Sequence, residues 1–563
     1  MPRLLAAVLF VLAHGANASA EVWHVLGPRA MGMGGAFVAV AEGSIAQYWN
    51  PAGLAQEATA SKWGLQVPVG AKVEFTGNVL QDANALGDLA SKYSTVQTAQ
   101  TNGAALNADQ MASVVKGIST IKHLNDPGKG VIASIEGGAN IKTGRWAVSI
   151  NNFTSLGGTP FVDTVNIGLG TIAGAGGVSF AGVAAGAPTD TASRDSIASA
   201  ITTIGYANLN TLVCGGAACI AAQNAGITSA TTLANALVNQ AVASGVSASD
   251  ITAAAATMAA NAGEAATVIS NVTSGNNNPY TNNQSNLTVR GGSFTEMAFG
   301  HGRALFLPGL MLGGNLKMIA GRVGYERFNV LNKDAGSTTA LKDFKNHTAS
   351  SVQPGLDLGV LWKLDEILPF LPLRPRFGVV ARNINNPEFN QPTLATTNGE
   401  SSKYALNGQI RSGLAISPFN WWNISADVDL TKNVTPIPGY KSQMLAVGTE
   451  INIFNRSWIN IPLRAGITKN ITSSSSKPSY AGGFGFNLLH FIFDVGGSIS
   501  SERTTINSGN KIPSNAAASA QLAFMFGGSP ERHSVKPKAD DQATSTEKVR
   551  EDAEKASKAL DAE

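Results

Sequence analysis

The strongest constraint in this chain is a two-residue period sustained over long stretches. In "WGLQVPVGAKVEF", Trp63, Leu65, Val67, Val69, Ala71, Val73 and Phe75 alternate with Gly64, Gln66, Pro68, Gly70, Lys72 and Glu74. "WNISADVDL" at 422–430 and "INIPLRAGI" at 459–467 repeat the pattern. Successive side chains of a strand point to opposite faces, so each segment carries one oily face and one polar face. A soluble sandwich alternates as well, and length separates the two cases. These segments run to about 10–14 residues, whereas ordinary strands hold about 5–6 and a tilted transmembrane strand needs about 9–11.

Fourteen such segments are present, at 62–76, 131–142, 144–154, 293–306, 309–323, 354–364, 374–386, 404–417, 421–432, 442–454, 458–471, 479–488, 490–501 and 515–526. Long and short connections alternate between them, the exception being the apolar "LDEILPFLPLR" at 364–374. An even strand number with long loops on one side and tight turns on the other predicts an all-β transmembrane barrel of about fourteen antiparallel strands, spanning 62–526. Lipid demands the closure, because an open sheet edge leaves backbone groups unbonded in hydrocarbon. Aromatics near strand ends, such as Trp421, Trp422, Trp458, Phe491 and Phe493, suit an interfacial girdle.

Composition agrees. Charged residues make up 14%, against about 25% in ordinary soluble domains, and 61 residues are glycine. Arg3, the apolar run Leu4–Ala13 and Ala18-Ser19-Ala20 form a signal peptide over 1–20, the run being too short to span a bilayer as a helix. Net charge is +3 with no basic, aromatic-interleaved stripe, so nucleic acid is not an expected partner. Cys214 and Cys219, close together in an exported chain, predict a small disulfide loop. Without nearby histidines they predict no metal site, and no cofactor motif is convincing. "GLGTIA" at 168–173 matches a dinucleotide fingerprint only formally, since no strand precedes it. No nucleophile or zinc motif is visible among seven scattered histidines, so an enzyme is not expected.

Two insertions, 77–130 and 155–292, lack the two-residue period. In the first, Asn107 and Gln110 form a capping box ahead of Met111, Val114, Val115, Ile118 and Ile121 at helical spacing. The second is rich in Ala, Ser and Thr, and both read as helical extracellular loop insertions at the barrel mouth. The charged tail 527–563 reads as a solvated periplasmic segment or as a docking arm for another envelope protein.

The segment "RAMGMGGAFVAVAEGSIAQYWNPAGL" at 29–54 has neither period and almost no charge. It closely resembles the N-terminal motif of FadL-like outer-membrane proteins, through Gly34, Gly35 and the "NPAG" of Asn50, Pro51, Ala52 and Gly53. The Tyr-Trp-Asn-Pro-Ala-Gly wording, with "GLDLGVLWK" and "FGVVARNINNPEF", is more similar to the conjugal-transfer TraF-like barrel branch. That resemblance implies a plug or hatch, 21–61, folded inside the lumen. The Ala-rich insertion departs from the fatty-acid transporters, so no ligand-binding residues are carried over. Physically, a barrel of this size encloses more lumen than its own side chains fill, and a small-residue segment is suited to packing there. "NPAG" is either a tight turn holding the plug or part of a moving gate.

Candidate lumen charges are Lys72, Glu74, Lys317, Arg382, Arg411, Asp427, Asp429, Glu450, Arg464 and Asp494. They form either an ion-paired wall gripping the plug or a site where an arginine captures a ligand carboxylate. The expected partners are outer-membrane lipid, a hydrophobic small molecule, and an envelope protein contacting the loops or tail. The expected function is FadL-type passive passage of hydrophobic molecules across the outer membrane. The alternative is a non-transporting envelope component or adaptor in conjugal transfer or secretion.

Overall fold

A computed structural model of the chain describes residues 22–56, 63–166, 178–214, 226–274, 283–329, 337–456, 458–474, 476–506 and 510–526. The leader, Cys219, "GLGTIA" and the tail 527–563 lie outside these residues.

Fourteen strands close into one antiparallel barrel. They are β1 Trp63–Thr76, β2 Gly130–Thr143, β3 Trp146–Phe161, β4 Asn286–Ala304, β5 Leu310–Asn329, β6 Thr348–Lys363 and β7 Arg376–Arg382. The remainder are β8 Gln409–Phe419, β9 Trp422–Asp429, β10 Met444–Ile453, β11 Ile459–Asn470, β12 Ser479–Leu488, β13 Phe491–Ser500 and β14 Asn515–Phe526. The ring closes where β1 pairs with β14, from Trp63 opposite Phe526 to Glu74 opposite Asn515. The alternation predicts which face goes where: Val69, Ile135, Leu316 and Val447 are exposed on the outside, while Gln66, Asn140, Asn315 and Asp427 are buried on the inside. The barrel is therefore oily outside and polar inside, as a spanning barrel requires. Among the described residues no helix is long and apolar enough to cross a membrane.

Several strands depart from their sequence-based bounds. β3, β4 and β5 run further on the long-loop side, Thr159 pairing with Thr288 and Thr288 with Arg327. This part need not present a continuous oily face, so it carries no alternation. β7 and β8 are shorter than the alternation suggested. Asn383 has φ 51°, which ends β7, and Lys403–Ala405 pairs with Glu388–Asn390 in a separate two-stranded sheet.

The long-loop side carries a helical cap. Its helices are α1 Val79–Asn102, α2 Ala108–Leu124, α3 Thr191–Ile204, α4 Tyr206–Cys214, α5 Ala230–Ala243 and α6 Ala248–Ser274. Asn107 and Gln110 form the reciprocal capping box at the start of α2. Met111, Val114, Val115, Ile118 and Ile121 are buried with Ile197, Leu237, Met258 and Ile269 in a core separate from the barrel interior.

Candidate functional site

Residues 22–56 form four short helical turns without a strand: Pro28–Gly32, Val38–Val40, Ala46–Trp49 and Pro51–Ala55. Nearly every side chain in the segment is buried, including Phe37, Trp49 and Leu54. Its partners are the inward faces of the strands. Asp427 on β9 accepts hydrogen bonds through Oδ2 from the backbone N–H of Phe37 (2.7 Å) and of Val38 (2.8 Å). Gln66 on β1 accepts from Ser44 Oγ (2.7 Å) and Ile45 N (2.9 Å). Asn315 on β5 donates to the carbonyl of Gln47 (2.8 Å). Such anchors satisfy backbone groups that a segment without sheet or long helix leaves orphaned.

Glycines make the fit possible. A Cβ on Gly466 would stand 2.3 Å from the Met33 carbonyl carbon, and one on Gly448 2.3 Å from the Met33 oxygen. On the other side, Gly313 and Gly359 face Pro51 and Asn50 at comparable separations. These glycines line the inner wall where a main chain lies directly against the sheet. Asn50 caps Pro51–Ala55 by accepting from Ala52 N (3.2 Å) and donates to the carbonyls of Val38 (3.2 Å) and Val360 on β6 (2.9 Å). "NPAG" is therefore tied to both the segment and the wall. Gly34 has φ 68° and Gly35 φ 92°, the left-handed turn that releases the chain from the first helical turn.

The charges form connected chains. Arg29 makes a two-pronged contact with Glu450 on β10, through Nε and Nη2 at 2.8 Å each, and a third bond to Glu42 at 2.5 Å. Glu450 also accepts from Arg464 Nε (2.7 Å), and Arg464 Nη1 donates to Asp494 (2.9 Å). Burial disfavours a charged Arg29, but Glu450 and Glu42 more than offset this and push its pKa up. A second group joins Lys317 to Asp357 (2.9 Å) and Glu296 (3.3 Å), with Arg382 on Glu296 (3.0 Å). The Arg382 guanidinium lies 4.0 Å from the Tyr48 ring centroid, and burial pushes the Tyr48 phenol up. Arg411 pairs with Asp429 (2.6 Å) and sits 4.6 Å from the Trp23 ring.

Lys72 and Glu74 pair with each other (2.7 Å), and Tyr440 from the β9–β10 loop donates to Glu74 (2.5 Å). Burial beside this carboxylate pushes the Tyr440 phenol up. Nine of the ten candidate charges thus fall into four groups, while Asp427 holds the backbone of Phe37 and Val38. Arg29, Glu42, Glu296, Asp357, Trp23 and Tyr48 were not among the sequence candidates. A strict inward-face reading of β4 and β6 would have found Glu296 and Asp357. Nothing periodic marks the N-terminal residues.

Between the segment and the long-loop side lies a cavity of about 430 Å³. Trp23, Val25, Met31 and Ile132 give it an apolar shelf, and Ser134, Thr468, Ser498 and Ser514 a hydroxyl-bearing wall. A shallow recess of about 620 Å³ marks the outer wall where Ala71, Gly482, Gly497, Ala516 and Ala518 leave little side chain. Lys72, Ser498 and Ala517 border both spaces. Among the described residues no cluster of His, Cys, Asp or Glu is arranged to hold a metal ion.

No curated protein matches the chain. Three solved structures are similar at low identity. The Ralstonia pickettii toluene transporter TbuX is 11% identical over 89% of this chain and 98% of its own, with a TM-score of 0.38. The Pseudomonas putida toluene transporter TodX is 10% identical over 91% and 100%, TM-score 0.36. A Pseudomonas aeruginosa FadL homologue is 8% identical over 90% and 100%, TM-score 0.36. The family described as "F plasmid transfer operon, TraF, protein" matches residues 47–429, more than half of the sequence, and the chain belongs to that family.

Proposed function

We propose that this barrel is a passive conduit in the outer membrane for small, largely apolar molecules, with residues 22–56 as its plug and gate. The observation that carries the reading is the cavity of about 430 Å³ sharing Lys72, Ser498 and Ala517 with the recess in the outer wall. A solute entering beneath the cap meets Trp23, Val25 and Met31 of the plug, beside a wall thinned by alanine and glycine. The hydroxyl groups around it favour a solute with one polar end over a pure hydrocarbon. Gly34, Gly35 and the Asn50–Gly53 turn seat the plug, and its displacement widens the passage. The test is uptake of a labelled monoaromatic alcohol by intact cells expressing the chain. Ala517→Phe fills the shared border and should cut uptake to the level of cells lacking the protein. Unchanged uptake in that variant would defeat the reading.

The helical cap favours a second reading, that of an envelope adaptor. Its core is separate from the barrel interior, and a passage alone does not require so large a structure. In that case the cap or the tail 527–563 holds an envelope protein. Deleting 527–563 should then release a crosslinked partner, while uptake by a conduit would be unaffected.

A further inference from the structure

The loop between β9 and β10, residues 430–443, reaches across the barrel mouth. β9 lies seven places from β2 in the ring of fourteen strands, yet the tip of the loop rests on β2 and β3. Ile437 is buried there, and a Cβ on Gly130 of β2 would stand 2.5 Å from its Cδ1, one on Gly157 of β3 2.9 Å. Gly128 N donates to the Pro438 carbonyl (2.7 Å). Just beyond this tip, the Tyr440 hydroxyl donates to Glu74 Oε1 on β1 (2.5 Å) and accepts from Asn470 Nδ2 on β11 (3.4 Å). Tyr440, Glu74, Asn470 and Lys72 all line the cavity of about 430 Å³ that also holds Trp23 and Met31.

We propose that Glu74 and Asn470 form a phenol-binding end of this cavity, occupied by the chain's own phenol, Tyr440, until a solute phenol takes its place. The site rests on the conduit reading, since it lies in the same cavity, and it narrows the solute to one class. Glu74 decides that class. Its Oε2 already pairs with Lys72 Nζ (2.7 Å), so Oε1 calls for a neutral donor and not a second cation. A carboxylate solute would meet Glu74 as a like charge, and a hydrocarbon would leave a shielded oxygen unpaired. A phenol O–H suits a carboxylate, because a hydrogen bond to an ionised acceptor is stronger than one between neutral groups. Only the Tyr440 side chain has to leave. Its N–H donates to the Ile437 carbonyl (3.1 Å) and its carbonyl accepts from Thr435 Oγ1 (2.9 Å). The Lys441 carbonyl accepts from Asn470 Nδ2 (2.9 Å) and Thr472 Oγ1 (3.0 Å), so the backbone stays in place while the ring swings. The exchange replaces one phenol–carboxylate bond by another, and the solute gains by burying its ring in the cavity.

The experiment titrates p-cresol calorimetrically at pH 7 into the full chain in nanodiscs, with toluene as the same ring lacking the hydroxyl and benzoate as the anion. Tyr440→Phe keeps the ring of the loop but removes its hydroxyl. In that variant p-cresol should bind about tenfold or more tightly than toluene, and in the wild type the preference should be smaller because the Tyr440 hydroxyl must first be displaced. Glu74→Leu should abolish the preference while toluene still binds, which separates loss of the acceptor from loss of fold. An equal preference in Tyr440→Phe and the wild type would overturn the proposal, as would a preference that survives Glu74→Leu. Benzoate binding more tightly than p-cresol would overturn the ligand class. Binding is read without flux, so this preference without uptake by cells defeats the conduit alone, and uptake without this preference defeats the phenol site alone.

Discussion

Replacing Gly466 by alanine is a sharp test of how the N-terminal segment is held. The new Cβ would lie 2.3 Å from the Met33 carbonyl carbon and 2.4 Å from Gly34 N. Carbon contacts are comfortable at about 3.5–4.0 Å, so one backbone must retreat by roughly 1.2 Å or more. The wall strand is hydrogen-bonded on both sides, with Gly466 opposite Gly448 and Ala481, so the segment has to yield. Overpacking of this kind costs about 1–3 kcal/mol, and the clash is with main chain, which has no rotamer to escape into. Gly448→Ala meets the same Met33 and therefore couples with it instead of adding independently.

The assay is planar-bilayer conductance together with protease cleavage of the N-terminal segment in the folded barrel. Gly466→Ala should raise both open-channel events and cleavage, and the double variant should hold the segment out. Gly482→Ala is the control. It lies on the adjacent strand, but its Cβ would meet only the Arg464 oxygen at 3.9 Å, an ordinary contact. If Gly466→Ala keeps the segment protected and the channel as silent as Gly482→Ala does, close main-chain packing is not what seats it.

Other outcomes follow from single contacts. Arg29→Ala leaves Glu42 and part of Glu450 without their buried partner and should lower stability by about 3–5 kcal/mol in thermal unfolding, whereas Phe37→Leu nearby should cost much less. Asn107→Ala removes the cap of α2 and should cost the helical cap about 1 kcal/mol, read as faster amide exchange in α2 with the barrel unchanged. Burial pushes Glu264 upward, but its bonds with Ser119 and His123 outweigh this and hold it below the usual carboxylate range. Its stabilising contribution is therefore present above about pH 4.3 and lost as pH falls further, so exchange across the α2–α6 contact should quicken as pH drops below about 4.3 and the Ser119→Ala variant should blunt that change.

The barrel was legible because lipid outside and water or protein inside impose opposite demands on alternate residues, and fourteen segments obey both. Legibility failed where one demand lapses. Ser155–Phe161 and Asn286–Gly292 continue their strands where no continuous oily face is required, and they read as loop. Val38 and Tyr48 gave no signal of their environment, because a segment wrapped on all sides by a wall has no solvent face to break the pattern. The lumen charges were visible as types but not as pairs: Arg464 and Glu450 sit opposite each other in register, while Arg29 reaches Glu450 across 421 positions of sequence.

The seam between the first and last strands has a consequence for assembly. Residues 22–56 lead toward β1, and β1 is the edge onto which β14 must zip. Gln66 on β1 bonds Ser44, and Gln521 on β14 lies beside Gly27, so the wall around the segment is whole only where these two strands meet.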